Sequence, residues 1–281
     1  MGLGLGTLDL GLKAHRMIVT LLTDFGTSDY FVGAMKGAIL SVNPLAQIVD
    51  ITHEIPAHDV QAGAFTLLAA YENFPPQTIH LAVVDPGVGS TRRPLLIATR
   101  EHFFIGPDNG LFSYVCEREA ALRIYQLTNK KYFHPTVSAT FHGRDIFAPI
   151  AGALSKGAPP DDFGELIDDH VHLAPLAPIR EAAGAWSATI IHVDRFGNCI
   201  TNITRRELTE ERFAEGARLE TGGREINSFR RFYAEETKAE RELFAIWGSA
   251  GFLEIVANRA SAARLMGVAR GQLVRLTTRK L

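Results

Sequence analysis

Short apolar runs alternate with amphipathic segments through the first half of the chain. Residues 17–23 (MIVTLLT) are apolar and β-prone and end at an Asp-Phe-Gly turn, which predicts a buried strand. Residues 31–42 carry apolar positions at helical spacing, so a helix should follow the turn. The same order recurs with a strand at 47–52, a helix at 59–71 and a strand at 78–84. This alternation predicts a mostly parallel sheet covered by helices on both faces.

The pattern changes in the second half of the chain. Residues 173–185 are rich in Pro and Ala without a regular period, which is typical of a linker. Short β-prone runs separated by turn residues follow, and they predict a smaller all-β domain. We therefore expect a loose N-terminal extension at 1–16, an α/β domain at 17–172, a linker at 173–185 and a C-terminal β domain at 186–281.

Composition and charge exclude several classes of protein. Hydrophobic residues make up 46% and charged residues 21% of the chain, as in a globular protein with a buried core. The net charge of -2 offers no basic surface for a nucleic acid or an anionic membrane. Cys116 and Cys199 lie far apart in apolar stretches, which indicates buried reduced thiols. We expect a cytoplasmic protein that binds neither nucleic acid nor membrane.

Several apolar runs end in polar residues that could form a site. Asp24, Asp50, His53 and Asp85 lie at or just beyond the ends of predicted strands. Ligands of open α/β sheets bind outside the carboxyl ends of the strands, where these side chains should lie. Each carboxylate could instead cap the next helix, but four such residues at one edge favour a functional site.

Residues 85–93 (DPGVGSTRR) form the most distinctive of these strand ends. They contain Gly-x-Gly, but Arg92 stands where a dinucleotide-binding motif needs its third glycine, and no helix follows. The tight turn could place an arginine beside Asp85, either as a surface ion pair or as part of a site. His142, in the segment TFHGRD, directly precedes a predicted helix, where it could be a structural group or a base.

Other motifs give weaker or negative signals. His53 and His58 resemble a zinc-protease motif, but their spacing is one residue too long and Pro56 interrupts a helix. The chain has neither a Gly-x-Ser-x-Gly elbow nor a Walker lysine, which leaves serine hydrolases and nucleoside triphosphatases without support. In DRFGN, the Asn and Gly suit an ordinary hairpin turn; alternatively, Phe196 stacks on a flat heterocycle whose edge Asn198 reads.

Six segments together resemble the S-adenosyl-L-methionine (SAM) hydrolases, adenosine-forming enzymes that share a fold with SAM-dependent fluorinases and chlorinases. The segments occur in order along nearly the whole chain from Met17: LLTDFGTSDYFVGAMKG, VVDPGVGSTRR, IGPDNGLF, TFHGRDIFAP, DRFGNCITNI and GSAGFLEIV. Each alone is weakly specific, whereas their joint occurrence is highly specific. The resemblance implies hydrolysis of SAM to adenosine and L-methionine by a water or hydroxide that attacks C5′, with no metal or cofactor.

The resemblance also implies roles for individual residues. Asp85, Arg92 and His142 would position and activate the water, and the adjacent Arg93 leaves open which arginine faces the site. The implied substrate contacts are Asp24 to the ribose diol, Asp29 and Asp194 to the methionine ammonium, Phe196, Asn198 and Tyr233 to adenine, and Ser249 to the methionine carboxylate. The family forms trimers with sites between the first domain of one subunit and the second of its neighbour, so a homotrimer is expected.

The chain departs from the halogenating branch at several positions. It has Ser249-Ala250 where that branch has Ser-Arg, which leaves open how the substrate carboxylate is neutralised. It has Asp85 in place of a tyrosine and His58 in place of a tryptophan, and it lacks an extra loop between Arg93 and Phe104. These differences favour water over halide as the nucleophile.

Two other functions stay open from the sequence. The residues assigned to binding outnumber those assigned to chemistry, as in a SAM- or adenosine-binding module without turnover. A metal-dependent hydrolase is the second alternative, and its ligands would come from Asp24, Asp29, His53, His58 and His142.

Overall fold

The computed structural model describes residues 17–120, 122–234 and 240–278, and these residues form two compact units. The first unit takes the described residues of 1–58, 74–109 and 119–170, and the second takes those of 59–73, 110–118 and 171–281. Two segments that the sequence pattern places in the α/β domain, 59–73 and 110–118, thus belong to the second unit. The predicted extension at 1–16 lies outside the described residues.

A seven-stranded sheet forms the framework of the first unit, with the strand order β2-β1-β3-β5-β4-β6-β7. Its strands are β1 Ile18–Thr23, β2 Gln47–Thr52, β3 Ile79–Val83, β4 Pro94–Ala98, β5 Phe103–Pro107, β6 Arg123–Leu127 and β7 Gly164–Ile167. The pairings are parallel in the β2-β1-β3-β5 part and antiparallel from β5 through β4 and β6 to β7. The sheet is therefore mixed rather than mostly parallel. Because only residues 99–102 connect β4 to β5, these strands form a hairpin and must run antiparallel.

Both units contain α-helices, and the predicted helix at 31–42 is among them. The α-helices of the described residues are α1 Phe31–Val42, α2 Val60–Ala70, α3 Ser113–Arg118, α4 Ala148–Ser155, α5 Glu210–Ala214 and α6 Ala262–Met266. In the first unit, α1 and α4 pack in one hydrophobic core with side chains of β1 and β3, and Met35 and Ile39 of α1 are fully buried there. Gly152 lets α4 approach α1 closely, since a Cβ at that position would lie 2.9 Å from Val42 Cβ. Helices on both faces of this sheet stay a prediction.

A buried histidine lies on the face of the central strands that is opposite to the core with α1 and α4. His80 of β3 lies next to Thr20 of β1, with His80 Nδ1 2.8 Å from Thr20 Oγ1, and its ring stacks on Phe104 at a centroid distance of 5.1 Å. Burial, together with the nearby His102, lowers the pKa of His80 to about 3. The imidazole is therefore neutral in the folded protein at neutral pH.

The second unit is built on an eight-stranded antiparallel sheet, which confirms the predicted β-rich C-terminal part. Its strand order is β12-β11-β15-β9-β10-β14-β13, with β8 paired to β9. Its strands are β8 Ile179–Ala182, β9 Ala185–Val193, β10 Cys199–Thr204, β11 Arg218–Thr221, β12 Arg224–Ile226, β13 Leu243–Trp247, β14 Phe252–Ala257 and β15 Leu273–Thr277. Strand β8 lies within the segment predicted to be a linker.

Helix α2 explains why residues 59–73 belong to this unit. Phe65 of α2 packs against His192 and Phe252, with ring centroids 5.3 and 5.8 Å apart. Cys116 and Cys199 are buried, as expected from their apolar surroundings, and no disulfide joins them in the described part of the chain. None of the helices in the described residues is both long and apolar enough to cross a membrane.

We expect His80 to make the folded protein acid-sensitive. Its folded pKa of about 3 lies below the ordinary value of 6.5, so the unfolded chain binds more protons between these pH values and stability falls as the pH drops below 6.5. One such group steepens the slope by up to about 1.4 kcal/mol per pH unit. His80→Asn keeps a hydrogen-bonding group near Thr20 without this titration. Urea unfolding between pH 4.5 and 7 should therefore show a shallower slope in His80→Asn, and equal slopes would contradict the prediction.

Candidate active site

Two carboxylates predicted to be functional follow neighbouring parallel strands. Asp24 comes directly after β1, and Asp85 lies two residues beyond the end of β3. Since β1 pairs with β3 in parallel, both residues lie at the carboxyl edge of the sheet, where open α/β sheets bind ligands. Asp29 is exposed and lies just before α1.

The loop 85–92 turns back on itself and brings Arg92 to Asp85. Gly89 makes this turn possible, because it adopts a φ of +77° that L side chains rarely adopt. A Cβ at Gly89 would also lie 2.2 Å from the carbonyl oxygen of Ala139. A glycine is therefore required at the tip of this loop on both counts.

Arg92 connects Asp85 to His142. Its Nε donates to Asp85 Oδ1 at 3.0 Å, and its Nη2 donates to Asp85 Oδ2, which gives a two-pronged ion pair. The same Nη2 lies 2.9 Å from His142 Nδ1. The side chains of Arg92 and Asp85 are only 7% and 5% exposed, and the guanidinium lies 5.2 Å from the ring centroid of Phe147. The structure thus brings together all three residues predicted to be catalytic.

One nitrogen of this guanidinium is left without a hydrogen bond by the part of the chain that the structure describes. Arg92 Nη1 is buried and has no hydrogen-bond partner among the described residues. A buried donor of a charged group is costly to leave unpaired, so this nitrogen is suited to hold a small acceptor such as a water oxygen. The arrangement therefore offers a cationic donor next to a carboxylate and an imidazole.

The local fold and its charges set the state of His142. It precedes a π-helical turn, Gly143–Phe147, which continues into α4. An arginine only donates hydrogen bonds, so Nδ1 of His142 accepts from Arg92 and the ring proton lies on Nε2. Burial and the positive charge of Arg92 lower the pKa of His142, although Asp85 and Asp145 act in the opposite direction. The imidazole is accordingly neutral near pH 7.

Arg93, the alternative to Arg92, has different partners. Its Nε donates to Asp108 Oδ2 at 2.8 Å and its Nη1 donates to Asp169 Oδ1 at 2.6 Å. The hydrogen bond to Asp169 is the main reason that the pKa of Arg93 is raised. Of the two adjacent arginines, Arg92 is therefore the one that contacts Asp85 and His142.

A second group of predicted residues lies on the hairpin between β9 and β10. Asp194 Oδ1 accepts the backbone N–H groups of Phe196 and Asn198 at 2.9 and 2.8 Å, and its Oδ2 accepts from Asn198 Nδ2 at 2.9 Å. This network leaves the Phe196 side chain 76% exposed and buries Asn198 to 6% exposure. Asp194 therefore shapes the turn that presents the aromatic ring and the amide.

These residues line a pocket of about 1030 Å³ within the second unit. Tyr233 and Ser249 line it as well, so the structure gathers five predicted substrate-binding residues there. The Tyr233 hydroxyl lies 3.5 Å from Asn198 Nδ2. Aromatic faces beside an amide suit a flat heterocycle with polar edges.

Sequence reasoning missed Glu254, which lines the same pocket from β14. Tyr233 donates a hydrogen bond to its carboxyl group, and burial together with the charge of Asp194 raises the pKa of Glu254. The one available signal was an acidic residue inside the apolar strand FLEIVA. Three arginines also line the pocket, Arg195, Arg259 and Arg264.

The ligand set of the metal-dependent alternative is not assembled. Among residues 17–120, 122–234 and 240–278, no three His, Cys, Asp or Glu side chains are grouped as metal ligands. His53 Nδ1 is instead 2.9 Å from Thr23 Oγ1, and the backbone N–H of His58 donates to Asp24 Oδ2 at 2.8 Å.

Comparison with protein families gives matches over both units. Residues 19–164 match the SAM hydroxide adenosyltransferase N-terminal domain, and residues 188–275 match the corresponding C-terminal domain. A protein of Methanocaldococcus jannaschii named (R)-S-adenosyl-L-methionine hydrolase is 38% identical, with 89% of this chain and 92% of that protein covered. A protein of the same name from Salinispora tropica is 35% identical, with 92% and 97% covered.

More distant relatives and solved structures agree with these matches. A fluorinase of an Actinoplanes species is 27% identical over 68% of this chain and 73% of its own length. The crystal structure of an uncharacterized conserved protein from Thermotoga maritima matches with a TM-score of 0.84 and 33% identity, with 93% of this chain and all of that chain covered.

We expect His142 to titrate below its ordinary pKa of 6.5 and Arg92→Met to raise that pKa. The substitution removes the adjacent positive charge and leaves the carboxylates of Asp85 and Asp145, which favour the imidazolium. Two-dimensional NMR of the histidine ring signals across pH 4–9 measures the shift. Arg93→Met is the matched control and should leave the pKa of His142 unchanged. An unchanged pKa in Arg92→Met, or an equal rise in Arg93→Met, would contradict the assignment.

Proposed function

The chain belongs to the SAM hydroxide adenosyltransferase family, and from that premise we propose that it hydrolyses SAM to adenosine and L-methionine. The observation that carries this proposal is the unpartnered Nη1 of Arg92, a buried cationic donor beside Asp85 and His142. Water or hydroxide is small enough to reach this nitrogen and can accept its hydrogen bond. The other site groups then surround the nucleophile of a hydrolysis.

Each residue of this cluster has a distinct role in the proposed reaction. Arg92 holds the nucleophile through Nη1, and its charge favours the hydroxide form. Asp85 fixes the guanidinium with both oxygens and accepts the proton of the water through a lone pair that the guanidinium leaves free. His142 accepts from Arg92 at Nδ1, so it positions the guanidinium and offers its Nε2–H as a donor.

The chemistry requires no general acid. The oxygen forms a bond to C5′ of SAM while the bond from C5′ to sulfur breaks, and the electron pair of that bond stays on sulfur. Methionine therefore leaves as a neutral thioether, and the one proton lost by the water is the only proton released. Because the charges of hydroxide and sulfonium cancel as they approach, a water-poor site favours the transition state.

Substrate binding involves both groups of residues. Asp24 holds the ribose diol, since two carboxylate oxygens can accept from two neighbouring hydroxyl groups. Phe196, Asn198 and Tyr233 contact adenine, Asp29 and Asp194 face the methionine ammonium, and Ser249 donates to the methionine carboxylate. Positive charge for that carboxylate comes from three arginines that line the pocket, Arg195, Arg259 and Arg264. They take the place of the arginine that the halogenating branch has at the position of Ala250.

We also propose the cofactor requirement, the compartment and the assembly of the enzyme. It acts without a metal or cofactor, in the cytoplasm, on a small molecule rather than on a nucleic acid or a membrane. It forms a homotrimer in which each active site combines Asp85, Arg92 and His142 of one subunit with the hairpin between β9 and β10, which carries Asn198, of a neighbour. The family resemblance supports this arrangement.

The reaction is tested by incubating purified protein with SAM in a chelator, with and without chloride, followed by chromatography. We expect adenosine and methionine in equal amounts, independent of chloride. Arg92→Lys keeps the charge but loses the two-pronged geometry, and it should lower kcat by about a hundredfold or more. Arg93→Lys, whose partners are Asp108 and Asp169, is the control and should stay near the wild-type rate.

Other outcomes of this experiment would overturn the proposal. A 5′-chlorinated nucleoside would assign the chain to the halogenating branch. Unchanged SAM, with tight SAM binding in a titration, would indicate a binding module without turnover. Loss of activity in the chelator that returns with a divalent metal would indicate a metal-dependent hydrolase.

Mixing of two inactive variants tests the shared site. Arg92→Ala damages the first residue group and Asn198→Ala damages the second. In co-expressed trimers, about one site in four combines an intact Arg92 with an intact Asn198 from different subunits, so about a quarter of the wild-type rate should return. Sites formed within single subunits would instead give no recovery above the sum of the two variants.

A further inference from the structure

The turn that carries Asp24 is held by a buried threonine and a buried histidine. Thr23 Oγ1 accepts the backbone N–H of Phe25 at 3.2 Å and lies 2.9 Å from His53 Nδ1. Thr23 is fully buried and His53 is 5% exposed, so bulk water does not compete for these hydrogen bonds. The two residues flanking Asp24 are thereby tied to the end of β2.

The second ring nitrogen of His53 continues this network to the surface. His53 Nε2 lies 3.2 Å from Asp50 Oδ1, and Lys36 Nζ donates to Asp50 Oδ2 at 2.6 Å. Burial raises the pKa of Asp50, but the hydrogen bonds from Lys36 and His53 outweigh it and the net pKa is lowered. Asp50 is therefore an ionised acceptor in the folded protein.

The direction of the hydrogen bond between His53 and Thr23 follows from that charge. An ionised carboxylate 3.2 Å from Nε2 of His53 attracts a proton on that nitrogen, which leaves Nδ1 as an acceptor. The Thr23 hydroxyl then donates to Nδ1, and its oxygen keeps a lone pair for the N–H of Phe25. The carboxylate on one side of the ring and the hydroxyl on the other thus favour one tautomer and one orientation of His53.

The main chain around His53 adds two further ties. Its carbonyl oxygen accepts the N–H of Gly26 at 2.8 Å, directly after Asp24-Phe25. Five residues later, the backbone N–H of His58 donates to Asp24 Oδ2 at 2.8 Å, from a left-handed conformation with φ of +67°. A non-glycine residue in this conformation is strained, and such strain is common where a side chain must be aimed.

We propose that His53, oriented by Asp50, is the positioning residue that aims the Asp24 carboxylate at the ribose diol of the substrate. The inference rests on the proposed function, because the ribose contact of Asp24 belongs to it. His53 does not touch the substrate. It holds the 23–26 turn through its side chain and its carbonyl oxygen, and it anchors the segment that brings the N–H of His58 to Asp24.

The test compares adenosine with 2′,3′-dideoxyadenosine, which lacks the diol. Isothermal titration calorimetry of the full chain gives both dissociation constants, and their ratio measures the preference for the diol. We expect His53→Ala to lower this ratio by about tenfold, as for the loss of one well-placed hydrogen bond to a charged group, with little change in dideoxyadenosine affinity. His53→Asn places an amide oxygen near the position of Nδ1, where it can accept from Thr23, and should restore part of the ratio.

A matched control separates aiming from general stabilisation. His80 Nδ1 is hydrogen-bonded to the hydroxyl of Thr20 at 2.8 Å, as His53 Nδ1 is to that of Thr23. Both threonines belong to β1, but Thr20 lies away from the turn that carries Asp24. His80→Ala should lower stability and leave the ratio unchanged. A preference that persists in His53→Ala, or one that falls equally in His80→Ala, would overturn this inference alone. Wild-type protein that bound both nucleosides equally would overturn the ribose role of Asp24 and the inference with it.

Discussion

A buried guanidinium is costly unless its donors are paired, and residues of the first unit pair two of the three nitrogens of Arg92. The charge of Arg92 is costly to bury unless it is paired and hydrogen-bonded. Asp85 satisfies one edge with two oxygens, and His142 accepts from the nitrogen that the two partners share. Nη1 stays unpartnered among the described residues, so the ion pair that stabilises the arginine also leaves one donor in a defined direction. Burial and the same positive charge lower the pKa of His142, which keeps its Nδ1 available as an acceptor. In the proposed mechanism, the same ion pair holds the arginine in place and leaves the donor that binds the nucleophile.

Much of the fold could be predicted because its signal is local. The helix at 31–42 and the strand at 47–52 have the bounds that their periodicity predicts, since apolar spacing within a dozen residues determines which face can be buried. The direction of the strands in the second half of the first sheet depends on the length of a hairpin connection and was predicted incorrectly. The membership of 59–73 in the second unit depends on where Phe65 packs, which no pattern within α2 reveals.

The candidate site shows the same division between local and tertiary information. Ordered motifs indicated Asp85, Arg92 and His142, but they could not distinguish Arg92 from Arg93. Successive residues of an extended segment point to opposite sides of the chain. Which arginine faces the site depends on contacts with residues far away in the sequence, such as that of Arg93 with Asp169. Glu254 was missed because one acid in an apolar strand has no spacing to interpret. The role of His53 was missed for a different reason, since its sequence neighbours suggested a metal motif while its partners lie on β1 and β2.

The positions of the reacting groups depend on backbone conformations more than on the hydrophobic core. Gly89 and Gly197 both have positive φ values, and a Cβ at either would overlap a neighbouring atom, at 2.2 Å from Ala139 O and 2.0 Å from Ser261 Oγ. One glycine returns Arg92 to Asp85, and the other closes the hairpin that presents Phe196 and Asn198. A displacement at a sulfonium carbon needs neither a general acid nor a redox group, so the protein contributes mainly orientation and a dry environment. Errors in orientation are then the main way to lose rate. Turns built on glycine meet this demand, because the missing Cβ lets Ala139 and Ser261 pack directly against the backbone and hold each turn in place.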